Sequence, residues 1–416
     1  MITQHQLPHI EAVIGRLVRF DRPADAVLSG YFRENPKLGS NDRHEIAETA
    51  FACLRHYGRV SALVAPKRTP RRLMLATLAC ARDINPEVLD RLLQDNERQW
   101  LDGVRAAPQP DTLSVESELP DWVIERLADP SPDAVRALGA GLMQPAPLDL
   151  RVNTLKMKRD AALAALRDSG LAAEPTPYSP IGIRLAGKPA LNKHPLFLDG
   201  AIEVQDEGSQ LLGILVGARR GEMVVDFCAG AGGKTLLLGA MMASSGRLYA
   251  FDISEKRLSN LKPRLARSGL SNVTPQLITN ENDTRIKRLA GKIDRVLVDA
   301  PCSGLGTLRR NPDLKYRQSA KSVAELNDIQ ASILASAARL VKAGGRLVYA
   351  TCSLLPQENR AIVDAFLAAH PEFELLPANQ LLAEQKIALD TGDCLELQPH
   401  LHNTDGFFAA VLVRKA

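Results

Sequence analysis

The chain reads as an α/β protein built on a doubly wound parallel sheet, preceded by a small α+β subdomain and an all-helical module. Three observations predict this. From residue 222 onward, apolar runs of strand length alternate with helical periodicity, the pattern of a parallel sheet covered by helices on both faces. Between about 145 and 205, short strand-like runs surround one helix. Residues 1 to about 140 carry apolar side chains at three-and-four spacing and few strand-like runs. The expected domains are therefore 1–140, 145–205 and 206–416.

In the first module the periodicity predicts helices over 12–20, 24–32, 42–63 and 88–100, the third capped by Ser40 or Asn41 with Glu45 near its first turn. Pro108, Pro110 and Pro120 mark a boundary within 106–120, and Gln144-Pro145-Ala146-Pro147 a second one. The subdomain should hold strands at 148–153 and 181–185 and a helix at 159–169. Beyond it, strands are expected at 223–227, 248–251, 273–278, 295–298 and 346–350. Helices are expected at 234–243, 255–268 and 323–341, the last stopped by Gly344-Gly345. Repeats and low-complexity tracts are absent from the sequence.

With 416 residues and 45% apolar content, the chain supports a large core, which excludes bulk disorder. His5, Pro8, His9, Glu11 and Arg16 interrupt the first twenty residues, and no run approaches the length of a membrane span. A cytoplasmic, soluble protein is expected. The cysteines at 53, 80, 228, 302, 352 and 394 form no C-x-x-C pair and no cluster with zinc-ligand spacing, so free thiols and no metal are expected. Cys53, Cys80 and Cys394 read as buried small hydrophobes. The balance of 52 basic to 48 acidic residues says little by itself. Local basic clusters at Lys67, Arg68, Arg71 and Arg72, and at Arg309, Arg310, Lys315 and Arg317, say more.

Asp226-Phe227-Cys228-Ala229-Gly230-Ala231-Gly232-Gly233-Lys234-Thr235 turns a strand into a helix. Glycines there allow close backbone approach, and the helix start offers free N–H groups to a ligand. A phosphate-binding P-loop requires glycine where Cys228 stands, and the G-x-G-G spacing fits a dinucleotide fingerprint poorly. A ligand with a ribose and no pyrophosphate fits better. Asp252 ends the second strand, where a carboxylate can accept both ribose hydroxyls; its other reading is a cap for the helix after Ser254. S-adenosylmethionine has this shape, and its sulfonium suits Asp226 and Asp299 nearby.

Two buried strands each deliver a cysteine at a carboxyl end. Val296-Leu297-Val298 leads into Asp299-Ala300-Pro301-Cys302-Ser303-Gly304, and Arg346–Ala350 leads into Thr351-Cys352-Ser353. A reduced pair beside a cofactor loop points to nucleophilic chemistry. With the glycine loop, these motifs resemble the RsmB/NOP/Sun group of RNA cytosine-5 methyltransferases. Arg151-Val152-Asn153-Thr154, Val204-Gln205-Asp206-Glu207-Gly208-Ser209, Arg309-Arg310-Asn311-Pro312-Asp313-Leu314-Lys315 and Asp405-Gly406-Phe407-Phe408 agree, so the resemblance covers about 150–416. Through Asp42-Arg43 and Phe51-Ala52-Cys53-Leu54-Arg55, the helical module is similar to the NusB-like RNA-binding module of the RsmB branch.

The resemblance implies a class I methyltransferase sheet of Rossmann-like type that binds S-adenosylmethionine and methylates carbon 5 of cytosine. Cys352 would be the thiolate that adds to carbon 6, Cys302 would help release the product, and Asp299 would hydrogen-bond the cytosine ring. Cofactor contacts would come from Cys228, Ala229, Gly230, Ala231, Gly232, Gly233, Lys234, Asp252 and Asp299. The adenine-side acid falls in Asn280-Glu281-Asn282-Asp283, and Asp283 is taken ahead of Asn282. DNA methyltransferases use the Pro-Cys cysteine to attack, so exchanged roles are the alternative, against which Thr-Cys-Ser argues. The run 309–317 is read either as a phosphate contact near a flipped base or as a solvated loop. With 4% aromatic residues, shape and backbone contacts should dominate over stacking. The expected substrate is ribosomal RNA, with transfer RNA next, for a monomeric enzyme. The competing classes are a P-loop ATPase and a non-catalytic RNA-binding protein.

Overall fold

The computed structural model describes residues 2–108 and 111–416. Pro110, one marker of the first expected boundary, lies outside the described residues. The chain forms two compact units, one of residues 1–145 with 307–322, the other of 146–306 with 323–416.

The first unit is helical. Helices Gln6–Leu17, Ala24–Glu34, Ser40–Arg55, Pro70–Cys80 and Asp95–Ala106 pack their apolar sides around Leu7, Ile10, Ile14, Ile46 and Leu73. The expected helix 42–63 is two, Ser40–Arg55 and Tyr57–Leu63, because His56 leaves helical geometry ahead of Gly58. Neither Ser40 nor Asn41 is the cap. Gly39 is, and its N–H is satisfied at 3.2 Å by the Asp42 carboxylate. The expected helix 88–100 is likewise split, into Pro86–Asp90 and Asp95–Ala106. Pro70–Cys80 escaped the periodicity because Leu73 through Leu78 are all buried, which leaves little amphipathic stripe to read.

Residues 111–120 are not a linker. They hold the helix Leu113–Ser117 and the buried Glu118, and the division between units falls at 145/146, inside the second proline stretch. The segment 307–322 corrects another expectation. Lys315 Nζ donates to the Arg55 and Glu118 carbonyls at 2.9 and 2.8 Å, and the Tyr316 ring packs on Phe20 and Tyr57. Arg309 and Lys315 are 3% and 1% exposed. At these two positions the basic run is therefore neither phosphate-holding nor solvated, whereas Arg310 and Arg317 are half-buried. Arg309 and Lys315 bury themselves in the helical unit because backbone carbonyls there accept their protons.

The second unit carries both sheets. Strands β1 (Leu148–Val152), β2 (Ala173–Pro175), β3 (Gly182–Leu185) and β4 (Ile202–Val204) form an antiparallel sheet in the order β2-β3-β1-β4. The helix Arg159–Asp168 covers it with Leu163 and Leu166. At three residues each, β2 and β4 are too short to show a period.

The larger sheet contains β5 (Met223–Asp226), β6 (Arg247–Asp252), β7 (Val273–Leu277), β8 (Ile293–Asp299), β9 (Val341–Thr351), β10 (Phe373–Leu376), β11 (Leu395–Leu397) and β12 (Phe407–Arg414). Its order is β10-β12-β9-β8-β5-β6-β7, with β11 also paired to β12. From β5 to β9 neighbours are parallel, whereas β12 runs antiparallel to β9, β10 and β11. The sheet is thus mixed, not parallel, because the last strand inserts between β9 and β10. The chain steps outward from β5 through β6 to β7, then returns to β8 and β9 on the other side, so order reverses at β5. Ligands of such sheets bind at the strands' carboxyl ends at this reversal. Gly344-Gly345 does not stop a helix. The helix Ala320–Ala338 ends earlier, and the glycines lie in β9, where pairing jumps from Ile293–Val341 to Arg295–Arg346. Among the described residues no helix is long and apolar enough to cross a membrane.

Candidate active site

A cavity of about 730 Å³ opens where β5, β6 and β8 end, at the switch in strand order. Its floor is the turn between β5 and the helix Gly233–Met241. The turn holds its shape because Asp252 Oδ2 accepts the Gly230 N–H at 2.8 Å while Oδ1 accepts the Ser254 N–H at 2.7 Å. Ser254, not Asp252, caps the following helix, so the capping reading of Asp252 falls away. Carbonyls of the same turn are held from outside. Arg264 donates to Ala231 O at 2.7 Å and Arg151 to Gly233 O at 2.5 Å. Both arginines were missed as individuals, though Arg151 opens a stretch noted in the sequence.

Cys228, Ala229, Gly230, Ala231, Gly233, Lys234, Asp252 and Asp299 line the cavity as expected. Gly232 does not. Its φ is +83°, and a Cβ there would lie 2.1 Å from Leu261 Cδ1, so it serves helix packing. Nor does Asp283. Its carboxylate accepts the N–H groups of Thr279 and Arg285 at 3.0 and 2.9 Å and caps the short helix Thr284–Lys287. Asn282 also lies off the wall, where Asn280 and Glu281 stand instead. Ile253, Ile278, Ile329 and Ile333 add an apolar wall. Ile253 is 68% exposed and Ile329 47% exposed, the one sequence-level hint being an isoleucine directly after the strand-ending acid.

Asp226 is buried at the end of β5. Thr235 donates to its Oδ2 at 2.7 Å, and Oδ1 has no hydrogen-bond partner. Burial, reinforced by the charges of Asp299 and Asp252, pushes its carboxyl up to about 7. Lys234 does not reach over the loop toward a phosphate-like group. Its ammonium pairs with Asp299 at 2.8 Å, and although burial opposes the charge, Asp299 outweighs it and raises the lysine above its ordinary value.

The two cysteines meet. Cys302 Sγ lies 3.4 Å from Cys352 Sγ and accepts the Cys352 N–H at 3.4 Å, both on the cavity wall. The Cys302 thiol is pushed well above its usual value, first by its hydrogen bond with Cys352, then by burial and by the charges of Cys352 and Glu358. Gly306 seats the Cys352 turn. Its N–H donates to Cys352 O at 2.8 Å, and a Cβ there would meet Gly406 O at 2.1 Å. Asn359 Nδ2 holds Ser353 O at 3.0 Å, and Gln330 Nε2 holds Pro301 O at 2.9 Å. These supports were not read from the sequence. Among the other cysteines, Cys53 and Cys394 are buried and Cys80 half-buried.

Comparison with known proteins agrees with this geometry. A family model described as 16S rRNA methyltransferase RsmB/F matches residues 214–413, and an RsmF/B-like ferredoxin-like domain model matches 119–192. The probable ribosomal RNA small subunit methyltransferase B of Synechocystis is 36% identical over 305 residues, 72% of this chain and 68% of the relative. The chain belongs to the RsmB/F family of S-adenosylmethionine-dependent RNA cytosine-5 methyltransferases. The ribosomal RNA small subunit methyltransferase B of Yersinia pseudotuberculosis is 33% identical over 331 residues, 79% of this chain and 73% of the relative. The crystal structure of PH0851 superposes with a TM-score of 0.79 at 26% identity, covering 100% of this chain and 99% of the other. The RsmB/F family thus accounts for a mixed class I sheet, a small antiparallel ferredoxin-like subdomain and an N-terminal helical region in one chain.

Proposed function

We propose that this RsmB/F family member methylates carbon 5 of a cytosine in small-subunit ribosomal RNA, with Cys352 as the attacking thiolate and Cys302 as the residue that releases the product. The substrate reading rests on the names of its relatives. The observation that carries the chemistry is the 3.4 Å approach of the two sulfurs on a wall shared with the Lys234–Asp299 pair.

The site fits S-adenosylmethionine. Asp252 would accept the ribose hydroxyls, and Ile253, Ile278 and Ile329, with Asn280 on the same wall, would offer an apolar surface to adenine. The orphaned Asp226 Oδ1 gives a cation a partner. When bound, the cofactor supplies an electrophilic methyl group. The protein does the rest. Cys352 adds to carbon 6 of the cytosine, which makes carbon 5 electron-rich. Asp299, held by Lys234, would accept a hydrogen bond from the amino group of the ring and orient it for attack, while the lysine's cation faces the negative charge that addition puts into the ring. Once carbon 5 is methylated, a base must take its proton so that the bond from carbon 6 to sulfur breaks with its electron pair returning to Cys352. Cys302, beside that sulfur, would be that base after giving its own proton to solvent. Residues 1–145 would serve as a NusB-like RNA-binding module of a monomeric, cytoplasmic enzyme.

Cys302→Ala and Cys352→Ala, each incubated with S-adenosylmethionine and RNA from cells lacking the gene, test the roles on denaturing gels. Only Cys302→Ala should carry a band that nuclease removes, and sequencing of the bound RNA should return a small-subunit cytosine. A band with only Cys352→Ala reverses the roles.

A further inference from the structure

Glu358 is fully buried, and no step above uses it. Its Oε1 accepts the Ser303 N–H at 2.8 Å and Gln330 Nε2 at 3.0 Å, and its Oε2 accepts the hydroxyls of Ser303, at 2.5 Å, and of Ser353. Each of these partners donates, so the group works as an acceptor-only carboxylate. Ser303 and Ser353 directly follow Cys302 and Cys352, and their hydroxyls meet at 3.2 Å. Gln330 also holds Pro301 O, just before Cys302, while Tyr349 Oη ties Glu358's own carbonyl to β9 at 2.6 Å. One carboxylate therefore sits beneath both cysteine turns.

Burying a charge is costly, and neutral side chains could have cross-linked two turns without it. The Cys302 thiol is pushed up first by its hydrogen bond with Cys352 and then by burial, with the Glu358 charge adding in the same sense. At their 3.4 Å contact the two sulfurs are not equivalent, because Cys302 Sγ also accepts the Cys352 N–H.

We propose that Glu358 is a positioning residue: by holding the turns of Cys302 and Cys352 on one carboxylate, it fixes the contact between the two sulfurs and, with it, the difference in their reactivity. This rests on the roles assigned above to the two cysteines.

The test uses the intact protein without RNA. Iodoacetamide at pH 8 with peptide mass mapping should alkylate wild-type Cys352 at least about tenfold faster than Cys302. In Glu358→Gln that ratio should fall at least about fivefold and single-turnover methylation about 10- to 100-fold, with S-adenosylmethionine affinity held within about twofold. An unchanged ratio, or cofactor binding lost together with activity, overturns the proposal. If Glu358→Gln does not fold, Ser353→Ala decides: a shift of the ratio in the same direction supports the proposal, and no shift overturns it. Faster alkylation of Cys302 in the wild type removes the assignment of roles and the proposal with it. Wild-type preference for Cys352 that persists in Glu358→Gln removes only the proposal.

Discussion

Two lysine–carboxylate pairs in this molecule share a chemistry and differ in their surroundings. Lys234 meets Asp299 at 2.8 Å on a cavity wall, with the Asp299 side chain 30% exposed. Lys315 meets Glu118 at 3.5 Å in the helical unit, with side chains 1% and 4% exposed. At Lys315 the hydrogen bonds are closed internally. Two carbonyls and the carboxylate take the ammonium's protons, and Glu118 accepts the N–H groups of Gly58 and Arg59 at 2.9 and 3.0 Å. Burial pushes Lys315 down to about 8 and Glu118 up. At Lys234 burial acts in the same sense, but Asp299 reverses it. A pair whose remaining capacity turns toward a cavity belongs to chemistry, and a pair whose capacity is spent belongs to architecture.

The largest expected effect tests the first half of that contrast. Lys234→Met and Asp299→Asn should each lower single-turnover methylation by about 10³-fold or more, since the lysine's cation faces the charge developing in the ring and the carboxylate orients that ring. Their unfolding midpoints should stay within a few degrees of wild type. A fall in midpoint as large as that caused by disrupting Lys315 would erase the distinction.

Lys315→Met tests the second half. Leaving Glu118 buried without its cation should cost about 3–5 kcal/mol of stability in urea titrations, with S-adenosylmethionine affinity unchanged. It should also change the pH dependence. Lys315 titrates near 8 when folded, against about 10.4 in an unfolded chain, so between those values the unfolded state holds more protons. This group therefore makes stability rise with pH across that window. The variant should lack that rise, and an identical slope in both proteins would contradict the assignment.

A smaller effect separates carboxylates by the same criterion. Asp226, unlike Glu118, keeps one oxygen orphaned. Its folded carboxyl titrates at about 7, above the unfolded value, so the stability tied to its protonated form is full in acid and is lost as pH rises through 7. Asp226→Asn should therefore stabilise the cofactor-free protein by about 1–3 kcal/mol at pH 8 and weaken S-adenosylmethionine binding about tenfold. Thermal unfolding and a binding titration, run side by side, would show whether the two changes oppose each other.

The sequence made the sheet and the cofactor loop legible because both are written locally. Apolar runs give the strands, and the glycines with Asp226 and Asp252 mark the turn where β5 ends. Cys302 and Cys352 could be paired only because each follows a strand of one sheet. Glu358, Gln330 and Asn359 escaped because their work depends on two turns meeting, which no single stretch encodes. Lys315 misled for the complementary reason. A basic residue looks solvent-facing until the carbonyls of Arg55 and Glu118, 260 and 197 positions away, are brought to it. Asp283 misled because a cap and a ligand contact use the same residue type after the same strand.

The smallest expected effect carries the contrast to the surface, where cations are most easily overread as RNA contacts. In the cluster after the fourth helix, Arg71 is spent: its guanidinium makes two bonds to Glu97 at 2.8 and 3.1 Å. Lys67 is exposed. If spent capacity marks architecture here too, removing the Arg71–Glu97 pair should leave RNA affinity within about twofold and cost about 0.5–1 kcal/mol of stability. The double change Arg71→Ala with Glu97→Ala keeps net charge constant, so long-range attraction to RNA is not altered. Lys67→Ala should instead weaken RNA binding about two- to fivefold near 0.1 M salt and reduce the slope of log affinity against log salt by about 0.7–0.9. Filter binding over a salt series reads both quantities at once. Equal losses from the two changes would mean that Arg71, although paired with Glu97, still meets RNA, and that spent capacity does not mark architecture at this surface.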